Sequence, residues 1–186
     1  MSVGFHVRVA RYIGDPAIAG KELFQINRLL AEANLPPYRE PEIDPPGIYA
    51  AFGRLTCLGR AALDHNSASN FARLGEAAQE HLGAEARMLP LLLSLPLYFL
   101  PIAFAEPLYL DGGYHGRQPL CSSHQVTREL VTLAKFFTIP LDGSLLSDAT
   151  AQAINDRGDE EPQTTWLTLF EGARQSAAYN CALVLG

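Results

Sequence analysis

The chain has 186 residues, 48% of them apolar and 18% charged, and its 20 acidic and 14 basic side chains give a net charge of −6. This length and apolar content suffice for a hydrophobic core without disulfides, and they exclude disordered, collagen-like and coiled-coil classes. The acidic balance argues against binding nucleic acid or an anionic membrane, because proteins that do so cluster Lys and Arg.

Cysteine usage and the N-terminal residues indicate a cytoplasmic bacterial protein. The odd number of cysteines, Cys57, Cys121 and Cys181, and their wide separation predict reduced core residues rather than disulfides. Arginine is in large excess over lysine, which is typical of genomes rich in G and C. Arg8 and Arg11 interrupt the apolar run that a secretory signal would need.

In the N-terminal third of the chain, the pattern predicts one strand followed by three helices. Phe5–Ile13 alternates loosely between apolar and polar residues, as a half-buried strand does. Asp15 and Pro16 are typical of a helix start, and that helix is predicted to end at Asn34. Two further helices are predicted from apolar residues at helical spacing, over residues 48–63 and 70–82.

A proline-rich segment joins the first two predicted helices. Residues 35–47 contain five prolines, so we expect an extended, polyproline-like connection. One interpretation is a stiff strap between two helices, which we favour. The other is a recognition loop that displays Tyr38, Arg39 and Glu42.

One apolar stretch has the minimum length of a membrane-spanning helix. Residues 88–105 are 18 consecutive positions without a formal charge. Its three prolines, at positions 90, 96 and 101, argue against a continuous helix, since each interior proline costs roughly 3 kcal/mol. We therefore predict a short helix end over 84–93 and a buried strand over Leu97–Phe104, and no membrane span.

The next stretch is predicted to contain a strand, a loop and a helix. The strand covers Glu106–Asp111, and the glycine-rich residues 112–121 are predicted to form the loop. Ser122 and Gln125 have the spacing of a capping box, so a helix is expected to begin there. Glu129 is predicted to lie on the solvent-facing side of that helix.

Three further elements complete the chain. They are a short helix after Ser147, a helix that begins near Pro162 with Trp166 on its buried side, and a final strand over Cys181–Leu185. The resulting order of elements predicts the α+β class. We expect a single globular domain, residues 1–186, with a small mixed sheet of about four strands and five or six helices packed on it.

The sequence contains no recognisable catalytic, cofactor-binding or metal-binding motif. Cys121 and His124 have the spacing of half a zinc site, but no second pair accompanies them. Phosphate-binding glycine motifs and the nucleophile elbow of hydrolases are also absent from the sequence. We therefore expect no catalytic residues, no metal and no cofactor.

One stretch still offers an alternative function, as a small enzyme or ligand-binding domain that uses the 111–124 loop. Its Asp-Gly-Gly turn could hold an anion on backbone amides, although such turns are more often hairpin ends. The side chains that would surround this alternative pocket are Tyr114, His115, Arg117 and His124.

The negative charge is concentrated near the C-terminal end of the chain. Residues 142–171 contain seven acidic side chains and one basic side chain, Arg157. One interpretation is a solvated face; the other is a docking surface for a basic protein partner, because concentrated charge accelerates and orients association. The candidate partner-binding residues are Asp156, Asp159, Glu160 and Glu161.

Several short motifs in the C-terminal half carry a resemblance to known proteins. They are Tyr98–Phe104, Cys121–Ser123 with Arg128–Leu130, Pro140–Gly143 with Leu146–Asp148, and Trp166–Ser176. In these motifs the chain resembles small bacterial proteins of immunity-protein-like character. The motifs themselves are structural and imply no activity. The likeness to immunity proteins encoded beside bacterial toxins, in size, acidity and lack of catalytic motifs, implies a cytoplasmic protein that neutralises a cognate toxin by direct contact through an acidic surface. The implied partner is a basic protein, for example a toxin, with no role for nucleic acid or a membrane.

Overall fold

The structure, a computed structural model of the chain, describes residues 5–42, 68–94, 96–143, 145–157 and 162–186. Within these ranges a mixed five-stranded sheet is covered by helices on both faces. This arrangement confirms the predicted α+β class.

The strands follow the spatial order β1-β5-β2-β4-β3. Neighbouring strands are antiparallel except for β2 and β4, which run parallel. The bounds are Phe5–Val7 for β1, Leu97–Leu100 for β2, Leu108–Gly113 for β3, Gly116–Ser122 for β4 and Leu183–Leu185 for β5. The sequence predicted about four strands, because β4 falls within the residues predicted to be a loop.

The described helices are six. Their bounds are Val9–Ile13 for α1, Pro16–Glu32 for α2, Ala68–Leu82 for α3, Ser123–Phe136 for α4, Asp148–Asn155 for α5 and Pro162–Tyr179 for α6. Short 3-10 turns cover Gly83–Glu85 and Leu89–Leu93. Because side chains alternate along a strand, β2 sends Leu97 and Phe99 into a core shared with α3 to α6. Its Tyr98 and Leu100 enter a second core, shared with α1 and α2.

The prediction of one strand over Phe5–Ile13 is wrong beyond β1. Arg8 has a positive φ of 68°, which ends the strand, and α1 follows immediately. The carboxylate of Glu40 accepts the backbone N–H groups of Val9 at 2.5 Å and Ala10 at 3.0 Å. A partner thirty residues away therefore stabilises a helix start that the local pattern does not reveal.

Residues 35–42, the described part of the proline-rich segment, are held against α2 and against Ala182, directly before β5. Tyr38 is buried, and its hydroxyl accepts the backbone N–H of Ala182 at 2.7 Å. The side chain of Asn27 accepts the backbone N–H of Tyr38 at 2.7 Å and donates to its carbonyl at 2.9 Å. Tyr38 is thus not displayed for recognition. Residues 43–67, with the predicted helix over 48–63, lie outside the described residues.

The apolar stretch 88–105 is divided as its prolines suggest. A 3-10 turn and then β2 occupy its first part, and β2 ends at Leu100, directly before Pro101, rather than at Phe104. No helix in the described part of the chain is long and apolar enough to cross a membrane.

The predicted start of α4 is confirmed, but the prediction for Glu129 is wrong. The Ser122 hydroxyl accepts the N–H of Gln125 at 3.2 Å, as a cap does. Glu129 is 3% exposed, and its carboxylate accepts the backbone N–H groups of residues 87, 88 and 89 at 3.0–3.1 Å. The Gln125 amide also donates to it, at 3.2 Å. Burial raises the pKa of Glu129 although these hydrogen bonds oppose the shift.

Candidate acidic interface

The acidic segment, defined as residues 142–171, has α5 near its centre. Ser147 caps this helix, and Asp148 lies in its first turn, where the helix dipole favours a carboxylate. Ala151 and Ile154 are buried and attach α5 to the core that it shares with α6. The sequence therefore places α5 on the surface with its polar residues facing solvent.

Three carboxylates of the acidic segment are exposed and carry no ion pair to the described residues. They belong to Asp142, Asp148 and Asp156. Glu171 differs, because it is half-buried and accepts a hydrogen bond of 2.6 Å from Arg174. The negative charge of the three aspartates is thus available to a partner.

An open groove lies beside one of these carboxylates, that of Asp142, which forms part of its lining. It measures about 410 Å³, and its walls include Pro140, Leu141 and Leu146. Leu145 also lines it and is 57% exposed, a high value for a leucine. Exposed apolar groups with a charged rim are typical of protein–protein contact surfaces.

The structure describes one of the four predicted partner-binding residues. Asp156 ends α5, and its carboxylate accepts a 2.7 Å hydrogen bond from the Gln152 amide, which leaves it at the surface. Asp159, Glu160 and Glu161 lie outside the described residues. Their part in binding stays a prediction.

The predicted 112–121 loop is in fact a β-hairpin, and three of the alternative pocket residues lie at its turn end. Tyr114 and His115 form the turn between β3 and β4. A hydrogen bond of 3.0 Å joins His115 Nε2 to the hydroxyl of Tyr12. Arg117 is exposed and pairs with Asp111 at 3.4 Å. The glycines in this stretch allow the hairpin turn rather than a longer loop, since Gly112 and Gly116 have positive φ.

His124 lies at the opposite end of β4, in the first turn of α4. The seven residues of β4 separate it from the hairpin turn by roughly 20 Å. His124 instead lines an open groove with Arg128 and Arg174. The structure therefore does not bring the four alternative pocket residues together.

Behind the hairpin lies a buried polar network that the sequence did not predict. Glu22 is 3% exposed and accepts hydrogen bonds from the Tyr98 hydroxyl at 2.8 Å and the Tyr114 backbone N–H at 3.0 Å. With its amide oriented to satisfy its neighbours, Gln118 donates to Glu22 at 3.0 Å and accepts from the His115 N–H at 2.7 Å. These contacts anchor the hairpin to α2.

The described residues offer little for metal or nucleophilic chemistry. They contain no group of three or more His, Cys, Asp or Glu side chains placed to hold a metal ion. Cys121 and Cys181 are buried, and neither forms a disulfide in the described part of the chain. Burial raises the pKa of the Cys121 thiol, which disfavours the reactive thiolate.

Comparison with known proteins gives one match. The model of a protein family described as "Putative DNA-mimic protein" matches residues 1–185. No curated protein and no solved structure matches the chain. DNA presents one negative charge for about every 1.7 Å of its axis, so a protein that imitates it needs exposed negative charge.

This match corrects the prediction about partners. The sequence excludes nucleic acid because it lacks the clustered Lys and Arg of proteins that bind it, and it predicts a basic protein such as a toxin because its own surface is acidic. An acidic surface that cannot bind DNA can nevertheless imitate it, and composition does not separate the two cases. The coarser prediction of an acidic binding protein agrees with the match, whereas toxin neutralisation receives no support from it. Because the match covers nearly every residue, the chain belongs to the family described as "Putative DNA-mimic protein".

Proposed function

We propose that the chain binds a DNA-binding protein at the surface with which that protein contacts DNA, and so competes with DNA. The observation that carries this proposal is the family match over residues 1–185. The exposed carboxylates of the acidic segment supply the negative charge that such a partner would recognise.

The spacing of the carboxylates suits partners with long basic side chains. Asp148 and Asp156 are eight residues apart, which corresponds to about 12 Å along a helix. Phosphates of one DNA strand follow each other at about 3.4 Å along the axis, so this distance spans three to four phosphates. α5 therefore presents a sparse set of phosphate-like charges, which flexible Lys and Arg side chains can reach.

The groove around Leu145 provides what a phosphate backbone lacks. An apolar contact beside the carboxylates favours partners that have an apolar residue next to their DNA-contacting surface. Charge would then attract many DNA-binding proteins, and the groove would select among them. Neutralisation of a toxin is a narrower function, and no contact made by the described residues of the acidic segment favours it.

Competition with DNA tests the proposal. Bacterial DNA-binding proteins, enriched on a heparin column, are passed over the immobilised chain. A retained protein is then purified and bound to a labelled DNA duplex. We expect the chain to displace the duplex from that protein, and excess duplex to dissociate the protein from the chain. A stable complex of duplex, protein and chain would contradict the proposal, as would retention of no DNA-binding protein.

Two sets of charge reversals locate the surface. Both sets change the net charge equally, but one alters the acidic segment and the other alters α3 and the turn after it. The substitutions are Asp142→Lys, Asp148→Lys and Asp156→Lys in the first set, and Glu76→Lys, Glu80→Lys and Glu85→Lys in the second. We expect the first set to abolish displacement of the duplex and the second to retain it. Circular dichroism checks that both variants are folded.

A further inference from the structure

The outward face of α2 carries an exposed aromatic side chain. Phe24 is 70% exposed, the highest value among the large apolar side chains of the described residues. A single exposed apolar side chain is ordinary on a protein surface. Evidence that Phe24 takes part in binding must therefore come from the residues around it.

One helical turn before Phe24, the surface of α2 is open. A side chain at Gly20 would meet nothing within 4 Å, and a groove lined by Ala17, Gly20, Lys21 and Phe24 lies there. Glycine inside a helix costs roughly 1 kcal/mol relative to alanine, and no contact in the described structure requires it at this position. α2 therefore displays a protruding ring and an open space one turn apart.

This arrangement is complementary to itself. In a two-fold contact, if residue i of one copy meets residue j of the other, then j also meets i. The two α2 helices would be antiparallel and would cross on their outward faces, midway between Gly20 and Phe24. Each Phe24 ring would then lie over the Gly20 of the other copy. We propose that a second copy of this chain occupies the α2 face in this way, which makes the protein a homodimer.

Charge complementarity supports a second copy as the occupant. Arg28 follows Phe24 by one turn and is exposed, and its pairing with Glu32 is long, at 3.5 Å. Asp15 caps the start of α2 through one carboxylate oxygen and is also exposed. The antiparallel crossing brings Arg28 of each copy towards Asp15 of the other. The antiparallel crossing also brings the two exposed Lys21 side chains near the two-fold axis, whereas a parallel crossing would place Arg28 beside Arg28 and Asp15 beside Asp15 as well.

The dimer leaves the acidic segment accessible. α2 packs on one face of the sheet, and α5 packs in the core on the other face. Dimerisation through α2 thus places two acidic segments on the outside of the assembly. The inference does not depend on the proposed competition with DNA, and each can fail without the other.

Sedimentation over a range from nanomolar to near-millimolar protein tests the dimer. We expect a reversible dimer for the unaltered chain. Phe24→Ser should weaken it about tenfold or more, because each substitution removes two equivalent contacts. Leu145→Ser is the matched control, since it removes another exposed apolar side chain and should leave the dimer unchanged. A monomer at every concentration, or a dimer that Phe24→Ser leaves unchanged, would overturn the inference.

A cysteine pairing experiment tests the crossing itself. One preparation carries Gly20→Cys and another carries Phe24→Cys, and each is oxidised alone and after mixing. We expect disulfide-linked dimers mainly in the mixture, where one ring-over-glycine contact also remains. The unaltered chain, oxidised in parallel, controls for its natural cysteines. Linkage that is equally efficient in the separate preparations, or absent from all of them, contradicts the antiparallel crossing.

Discussion

At the scale of single residues, two buried carboxylates organise this protein. Glu22 anchors the β3–β4 hairpin to α2, and Glu129 anchors α4 to the backbone that precedes the second 3-10 turn. A carboxylate is tolerated in such surroundings because several donors point at it. Each of the two lies among the buried apolar residues of its helix. A charged residue within such an apolar stripe is therefore the sequence feature from which their burial could have been predicted.

Substitution of Glu129 tests this anchoring and its pH dependence. In Glu129→Gln an amide NH2 group, which cannot accept a hydrogen bond, replaces one of the two side-chain oxygens that face the backbone N–H groups of residues 87–89, whether or not the carboxyl group of Glu129 is protonated. We expect a loss of about 1–3 kcal/mol in the free energy of unfolding at about pH 4, measured with urea. Glu76→Gln, at an exposed position of α3, should change it little.

The sign of the pH dependence follows from the raised pKa of Glu129. A folded-state pKa above the unfolded one gives stability that is fully present below the unfolded pKa. That stability is lost as the pH rises through the folded pKa. The difference in the free energy of unfolding between the unaltered chain and Glu129→Gln should therefore become smaller as the pH rises from about 4 to about 7. A difference that widens over this range would contradict the burial argument.

At the scale of elements, two helical glycines should respond oppositely to alanine. A Cβ at Gly75 would lie 3.0 Å from the carbonyl oxygen of Leu89, because α3 packs directly on the 3-10 turn. Gly20 has open space instead. We expect Gly75→Ala to lower the free energy of unfolding by about 1–3 kcal/mol. Gly20→Ala should raise it by up to about 1 kcal/mol in dilute solution. Thermal unfolding of both variants measures this, and the reverse order would refute the packing argument.

Elements whose signals are local were predictable from the sequence. Asp15, Ser122 and Ser147 cap helices through their own side chains, and each predicted helix start was confirmed. Elements that depend on distant partners were not. α1 needs the carboxylate of Glu40, and β4, which contains Gly116 and Pro119, needs neighbouring strands on both sides to form.

At the scale of the whole molecule, the position of the charge was predictable and its meaning was not. Counting acidic residues located the acidic segment without any structure. The same count cannot distinguish a surface that avoids DNA from one that imitates it, because both are negative. The family match, which concerns the whole chain, supplied that distinction.

The charge of the whole molecule also predicts how binding responds to salt. The affinity of a DNA-binding protein for DNA falls steeply with salt, because DNA releases condensed counterions. A chain with a net charge of −6 has too low a charge density to condense ions in this way. For one DNA-binding partner, we expect the slope of log affinity against log salt to be negative for both ligands. The slope should be shallower when that partner binds the chain than when it binds DNA. Equal slopes in fluorescence titrations, or no salt dependence, would contradict this expectation.

The position of β5 in the sheet affects how the chain folds while it is being synthesised. This strand follows every other described element in sequence, yet it lies between β1 and β2, with all three of its residues fully buried. The sheet cannot close while residues 183–185 are still inside the ribosome. Until then β1 and β2 lack their shared neighbour, and free strand edges invite pairing with other chains. The sheet of this family member is therefore completed only once residues 183–185 have emerged from the ribosome, and a nascent form without them is exposed to aggregation and to chaperones.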